Sequence, residues 1–206
     1  AKVGRQVITL DNHRYVGHVG WRQDRQTFDA ATIVYKASKH LKASYSYLTK
    51  RNRIFGEVKD IDSKDHLLNL SYKTDLGQLP AYSYLLEVDN GTSNSLDTFG
   101  ANFKGKKDKF SYYAEIATQN ADSSTTDYSA TYMALEGGYS FDAVTVKLGA
   151  EILGSDDAMF GFSTPLATLH KFNGWSDQFQ AKHLVAAGQL PYMIFLLTRQ
   201  QKMLMI

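Results

Sequence analysis

Val144-Thr145-Val146-Lys147-Leu148-Gly149-Ala150-Glu151-Ile152 is the stretch whose reading decides the fold class. Successive side chains of an extended backbone point to opposite faces. Val144, Val146, Leu148, Ala150 and Ile152 therefore share one side, and Thr145, Lys147, Gly149 and Glu151 share the other. The product is a strand with one oily and one wet face.

Working outward, the same period returns in Leu41, Ala43, Tyr45 and Tyr47 against Lys42, Ser44 and Ser46, and in Leu68, Leu70 and Tyr72 against Asn69, Ser71 and Lys73. Tyr82, Tyr84, Leu86 and Val88 stand against Ser83, Glu87 and Asp89, with Leu85 as an exception. Phe99, Ala101 and Phe103 oppose Gly100, Asn102 and Lys104, while Phe110, Tyr112, Ala114 and Ile116 oppose Ser111, Tyr113 and Glu115. Less regular segments at 3–10, 28–38 and 128–137 bring the expectation to about nine strands of roughly 8–11 residues, the length a tilted strand needs to cross a bilayer. The expected fold class is all-β, an antiparallel transmembrane barrel segment.

Connections at 38–40, 75–79, 105–109 and 140–142 read as short, whereas those at 11–27, 50–65, 119–127 and from 154 onward read as long and mostly polar; the link at 90–95 is the weak member of the long set. Short turns at one end and long loops at the other are the pattern of outer-membrane barrels. Phe28, Tyr72, Tyr82, Phe99, Phe110 and Tyr128 lie near strand ends, where aromatic rings favour the headgroup level, although aromatics populate strands in every β protein.

Composition agrees with this reading. The 206 residues are 43% hydrophobic with a net charge of +2, and a barrel that alternates lipid-facing with wet positions averages to a soluble-looking hydropathy. No run reaches the roughly 18 apolar residues that mark a spanning helix. The longest candidate, Leu190 to Leu197, is interrupted by Pro191. The absence of cysteine fits passage through an oxidising periplasm. Net charge is too small, and no Lys/Arg run clean enough, for nucleic acid as a partner.

The chain opens Ala1-Lys2-Val3-Gly4-Arg5 without an initiator Met or an apolar leader, so a signal peptide is expected to lie outside it. Residues 1–153 are expected to supply barrel strands and 154–179 a long loop of the same domain. The 180–206 tail loses the alternation and is expected to be a non-native or disordered end.

Gly4-Arg5-Gln6, Leu10-Asp11-Asn12, Arg14-Tyr15-Val16-Gly17, Trp21-Arg22-Gln23 and Thr27-Phe28-Asp29-Ala30 form a signature-like stretch. Asn52-Arg53-Ile54-Phe55-Gly56 and the late block Thr164-Pro165-Leu166-Ala167-Thr168-Leu169-His170-Lys171-Phe172-Asn173-Gly174-Trp175 follow it in order. Over residues 3 to 179 the chain resembles the alginate-export domain family of outer-membrane porins. The resemblance implies an antiparallel barrel of about eighteen strands, of which this chain supplies roughly half as an open curved sheet, without the early and closing strands. It also implies outer-membrane lipids as surroundings, a porin-like role in passive passage or export of small hydrophilic or anionic solutes, alginate and oligosaccharides among them, and no cofactor.

If Leu41, Leu68, Tyr84, Phe103 and Val146 face lipid, then Lys42, Lys73, Glu87, Lys104, Glu115, Lys147 and Glu151 face inward, since a charge facing lipid costs about 2–4 kcal/mol at the midplane. Such residues would either set a field for anionic sugars or pair to stiffen the wall. Arg5, Arg14, Arg22 and Arg25 recur near one long connection; their guanidinium forks suit carboxylates at a constriction, or else a structural network with Asp11, Asp24 and Asp29. Lys50, Arg51, Arg53 and Lys59 read as solvated loop charges. Asp60, Asp62 and Asp65 lack the glycine and terminal glutamate of a calcium loop, and no nucleophile motif accompanies the six histidines, so neither metal nor enzyme is expected. The alternative from another class is a soluble periplasmic β-sheet module whose oily faces pack on each other.

Overall fold

A computed structural model describes residues 1–142, 144–157, 160–172 and 192–199. The strands are β1 (Lys2–Gln6), β2 (Thr27–Lys36), β3 (Leu41–Asn52), β4 (Ile61–Lys73), β5 (Gln78–Glu87), β6 (Ser95–Lys107), β7 (Phe110–Asp122), β8 (Tyr128–Ser140), β9 (Val144–Leu153), the short β10 (Ser155–Asp156) and β11 (Phe160–Gly161), and β12 (Tyr192–Arg199). β1 to β9 pair consecutively and antiparallel, and β12 adds to β9 to give a ten-stranded sheet that does not close. The nine expected strands are all present. The edge of β9 is occupied by β12, which comes from the 180–206 tail and whose backbone supplies ladder partners; the rest of that tail lies outside the described residues.

Turns at 37–40, 74–77 and 108–109 and the one between β8 and β9 join hairpins at one end, and the links 7–26, 53–60, 88–94 and 123–127 and the described chain just after β9 lie at the other. The alternation is as expected, but 123–127 is the briefest of the long set, not the link after β5.

Burial separates the two faces. On β4, Asp65, Leu67 and Ser71 are buried, whereas Leu68, Leu70 and Tyr72 are exposed; Leu67 is 1% accessible and its neighbour Leu68 48%. The register carries this division across the sheet, so that Ile33, Tyr45, Leu68, Phe99, Ile116, Met133 and Leu148 occupy an exposed outer face. Phe28, Leu48, Tyr82, Tyr84, Ala117 and Tyr132 lie on the inner face. A water-soluble sheet hides its oily row and wets its polar one; here the mostly apolar row is uncovered, the arrangement of a strand whose outer neighbour is hydrocarbon.

A bulge at Thr49, between the pairs Ala30–Leu48 and Asp29–Lys50, shifts the alternation by one residue. Ser44, Ser46 and Leu48 point inward before it and Arg51 after it, because the extra residue re-aims everything beyond. Arg51 thereby reaches Asp65.

Candidate functional site: the inner wall and the segments that cross it

Two segments from opposite ends of the chain lie on the inner face. Ile8, Tyr15 and Val16 come from the β1–β2 link, Phe162 and Leu166 from the stretch after β11, and both sets pack against β5, β7 and β8. Tyr15 is the hub: its ring is 4.9 Å from Tyr82, 6.0 Å from Tyr84 and Tyr132, and 6.0 Å from Phe162.

The segments are joined to each other largely through backbone. Gly17 N donates to Leu166 O at 2.8 Å, Thr168 N to His13 O at 3.1 Å, and Val16 bridges Leu166 in parallel. The buried Gln26 side chain donates to both Gly17 O and Leu166 O. Gly17 is required by this approach, since a Cβ there would stand 2.4 Å from Thr168 Oγ1. Val19 holds a left-handed φ of 50°, which costs a β-branched residue about 1–3 kcal/mol. The Val19 N bond to Thr168 Oγ1 and the Arg22 N bond to Val19 O retain it.

Side chains hold the pair of segments to the wall. Asp11 accepts from Asn69 Nδ2 at 3.0 Å and Tyr84 Oη at 3.1 Å. Gln119 of β7 donates to Ser163 O and accepts from Ser163 N, both at 2.8 Å. Arg14, 1% accessible, pairs through Nη2 with Glu151 Oε1 at 2.7 Å and lies over the rings of Tyr132 and Phe172. Tyr132 Oη donates to the same Glu151 oxygen, and Tyr82 Oη and Tyr113 Oη donate to Glu115. Arg53 donates to Gln26 Oε1 and Pro165 O, and behind it Arg51 and Asp65 form a bidentate buried pair at 2.6 and 2.8 Å. Burial pushes the Asp11 carboxyl above its ordinary range, against the pull of Tyr84, Lys104 and Asn69. Burial, and then Arg51, lower Arg53.

Toward the short-turn end the inner wall changes character. Lys36 sits directly opposite Lys42, and Lys73, Lys104 and Lys106 continue the inner row on β4 and β6. The lysine ion pairs of the described residues involve Lys50, Lys64, Lys109 and Lys147 instead. Like charges directly opposite destabilise a sheet, so folding alone does not account for the Lys36–Lys42 pair.

Lys42, Lys73, Lys104, Glu115, Lys147 and Glu151 lie on the inner face, with Lys147 bonded to Glu136 at 2.7 Å. Arg5 and Glu87 do not. Arg5 pairs with Asp29 on the outer face, and Glu87 stands beside Lys64 above the apolar band. The alternation on β5 is inverted relative to expectation: Leu79, Ala81 and Leu85 form the outer row, and Tyr84 faces inward with Tyr82 because the crossing segments make that side dry. Leu85, read as an exception, marked the true outer row. Phe28, Tyr82 and Tyr128 are likewise inward, which leaves Tyr72, Phe99 and Phe110 of the expected aromatic belt on the outer face. Of the signature arginines, Arg14 meets Glu151 instead of a nearby Asp, Arg22 lies over the Trp21 ring, and Arg25 is exposed.

Arg51 and Arg53, read as solvated, are structural: Arg51 is 5% accessible. Gln26 and Gln119 were not singled out, and Asp65 was weighed only as a calcium ligand and set aside. Their polarity is ordinary for a strand, and only contacts between positions as far apart as Gln26 and Leu166 reveal their work.

A family model described as alginate export matches residues 1–149. No curated protein and no solved structure matches the chain.

Proposed function

This chain belongs to the alginate-export family, and we propose that it builds part of the wall of a bacterial outer-membrane channel passing small hydrophilic solutes, anionic ones above all, down their gradients. The observation that carries the proposal is the sheet's inverted dress: apolar side chains exposed on the outer face, and an inner face with an uncovered lysine row. Outer-membrane lipids cover the first, and acidic or neutral sugars, alginate among them, pass the second. A soluble module with oily faces packed on each other finds no support in the outer row, which has no covering layer among the described residues.

Adjacent strands lie about 4.8 Å apart, inside the Debye length of about 8 Å at physiological salt. The fields of Lys36 and Lys42 therefore overlap and raise the local concentration of anions. The chemistry is passage and not turnover, so no cofactor enters.

The test is single-channel recording of the complete protein in planar bilayers under a salt gradient. A reversal potential favouring anions is expected, falling several-fold toward neutrality when Lys36, Lys42, Lys73, Lys104 and Lys106 are replaced by Gln. Purification without detergent, or a reversal potential indifferent to those replacements, would count against the reading.

A further inference from the structure

The two ends of the outer face carry charge in opposite ways. At the long-link end the cations of the outer row are matched: Arg5 pairs with Asp29, Lys50 with Asp60 and Asp62, and Lys64 with Glu87 and Asp89. At the short-turn end, residues 36–42, 73–79, 104–110 and 140–142 hold eight lysines against three aspartates. Lys39, Lys107 and Lys109 are the ones that do not line the inner wall, and all three are exposed. Lys39 and Lys109 sit in turns, and Lys107 ends the outer row of β6, directly opposite Phe110. Among the described residues the lysine ion pairs leave out Lys39 and Lys107, and Lys109 reaches only Asp142, itself 97% exposed. A pair so open to water holds weakly.

An aromatic belt lies just inside these lysines. Tyr35, Tyr72, Phe103, Phe110 and Tyr139 share the outer row, and Tyr139 meets Phe110 and Phe141 edge to face, each at 4.8 Å. Tyr112 lies over Gly105, where a Cβ would strike its ring, and donates to Leu76 O of the neighbouring turn. Gly137 stands directly opposite Tyr112, and nothing lies within 4 Å of the place its Cβ would take. With Tyr112 drawn the other way, the outer face is hollow there, between Tyr139 and the exposed Leu135. Rings of this kind settle at headgroup level, and a lysine just beyond them can lay its stem along the apolar row and hold its ammonium among phosphates.

We propose that the short-turn end of the outer face is a collar for anionic phospholipid: Lys39, Lys107 and Lys109 take headgroup phosphates, and the hollow over Gly137 takes the first part of an acyl chain beside Tyr139. The proposal rests on the membrane reading above and adds which lipid borders the wall, and at which end. The matched charges of the far end give an anionic headgroup no comparable hold.

Electron paramagnetic resonance of spin-labelled lipids tests this, with the complete protein in phosphatidylcholine vesicles. Labelled phosphatidylglycerol is expected to associate with the protein about threefold more strongly than labelled phosphatidylcholine. Lys39→Gln, Lys107→Gln and Lys109→Gln together should abolish the preference, and Gly137→Phe, which fills the hollow and leaves every charge in place, should reduce it. Lys50→Gln with Lys64→Gln should leave it unchanged. Should the triple variant lose heat-shifted gel mobility, salt replaces it: at 1 M, where the Debye length is about 3 Å, the natural protein should lose its preference. Equal association of the two lipids would mean that these lysines serve another partner, such as an acidic protein. A preference that survives the triple replacement, the filled hollow or the salt, or that falls with Lys50 and Lys64 instead, would place the headgroup elsewhere; any of these overturns the collar. A protein that conducts but shows no preference removes the collar alone, whereas one that never enters the vesicles removes the membrane reading with it.

Discussion

The two ends of the inner wall differ more from each other than the inner wall does from the outer face. Toward the long links it is dry and paired: Arg51 with Asp65, Gln119 with Ser163, Gln26 across the joint. Toward the short turns it is wet and unbalanced, with Lys36, Lys42, Lys73 and Lys106 exposed. The first end has the chemistry of a protein core and the second that of a solvated surface, although both lie along the same strands. Alternation dictates which residues share a side; what covers that side is decided by chain far away in sequence.

Asp65→Ala should break this contrast most sharply. It strands a buried guanidinium and also removes the acceptor of Glu87 N, and loss of one partner of a buried pair costs about 3–5 kcal/mol. Lys42→Ala, at the other end of neighbouring β3, should move stability by no more than about 0.5 kcal/mol. Urea unfolding of the two variants in lipid vesicles measures both, and equal shifts would erase the distinction between the ends.

Gln119→Ala comes next. It deprives Ser163 N and O of their partners, and a buried group left unsatisfied costs about 1–3 kcal/mol. Because Ser163 belongs to the crossing segment after β11, the loss should appear as earlier proteolysis within 160–172 while the sheet keeps its heat-shifted gel mobility. Sheet and segment melting together would show that the crossing segment is part of the fold and not a separable piece.

Much of this was legible in the sequence. Period-two alternation located the strands and put Lys42, Lys73, Lys104, Glu115, Lys147 and Glu151 on one face of the sheet. It failed at two places for physical reasons. On β5 both rows are oily in part, because Tyr82 and Tyr84 are dried by Tyr15 and Phe162 rather than by lipid, and no local pattern distinguishes those two kinds of dryness. On β3 the Thr49 bulge changes the parity, so Arg51 seemed to belong to the following loop. The joint between residues 7–26 and 160–172 depends on pairings such as Val19 with Thr168, which leave no period to read.

Asp11 stands where the two ends meet, and it carries the smallest of the expected effects. It hangs from the β1–β2 link against Tyr84 and Asn69, within the field of Lys104 below and of Glu115 on β7. Burial outweighs the pull of Tyr84, Lys104 and Asn69 and holds its carboxyl above the ordinary range. A carboxyl that binds its proton more tightly when folded favours the folded state at low pH. That contribution is fully present below the unfolded value near 3.8 and is lost as pH rises through the raised folded value. Asp11→Asn keeps an oxygen to accept from Tyr84 and Asn69 but has nothing to ionise. Relative to the natural protein, the variant should therefore gain stability as pH climbs through that window and hold a constant margin above it. Unfolding midpoints measured from acid to neutral pH give the comparison directly. A margin that stays flat throughout, or that shrinks as the pH rises, would mean that Lys104 and the two hydrogen bonds, not burial, govern this carboxylate, and that the wet end of the wall extends up to the crossing segments.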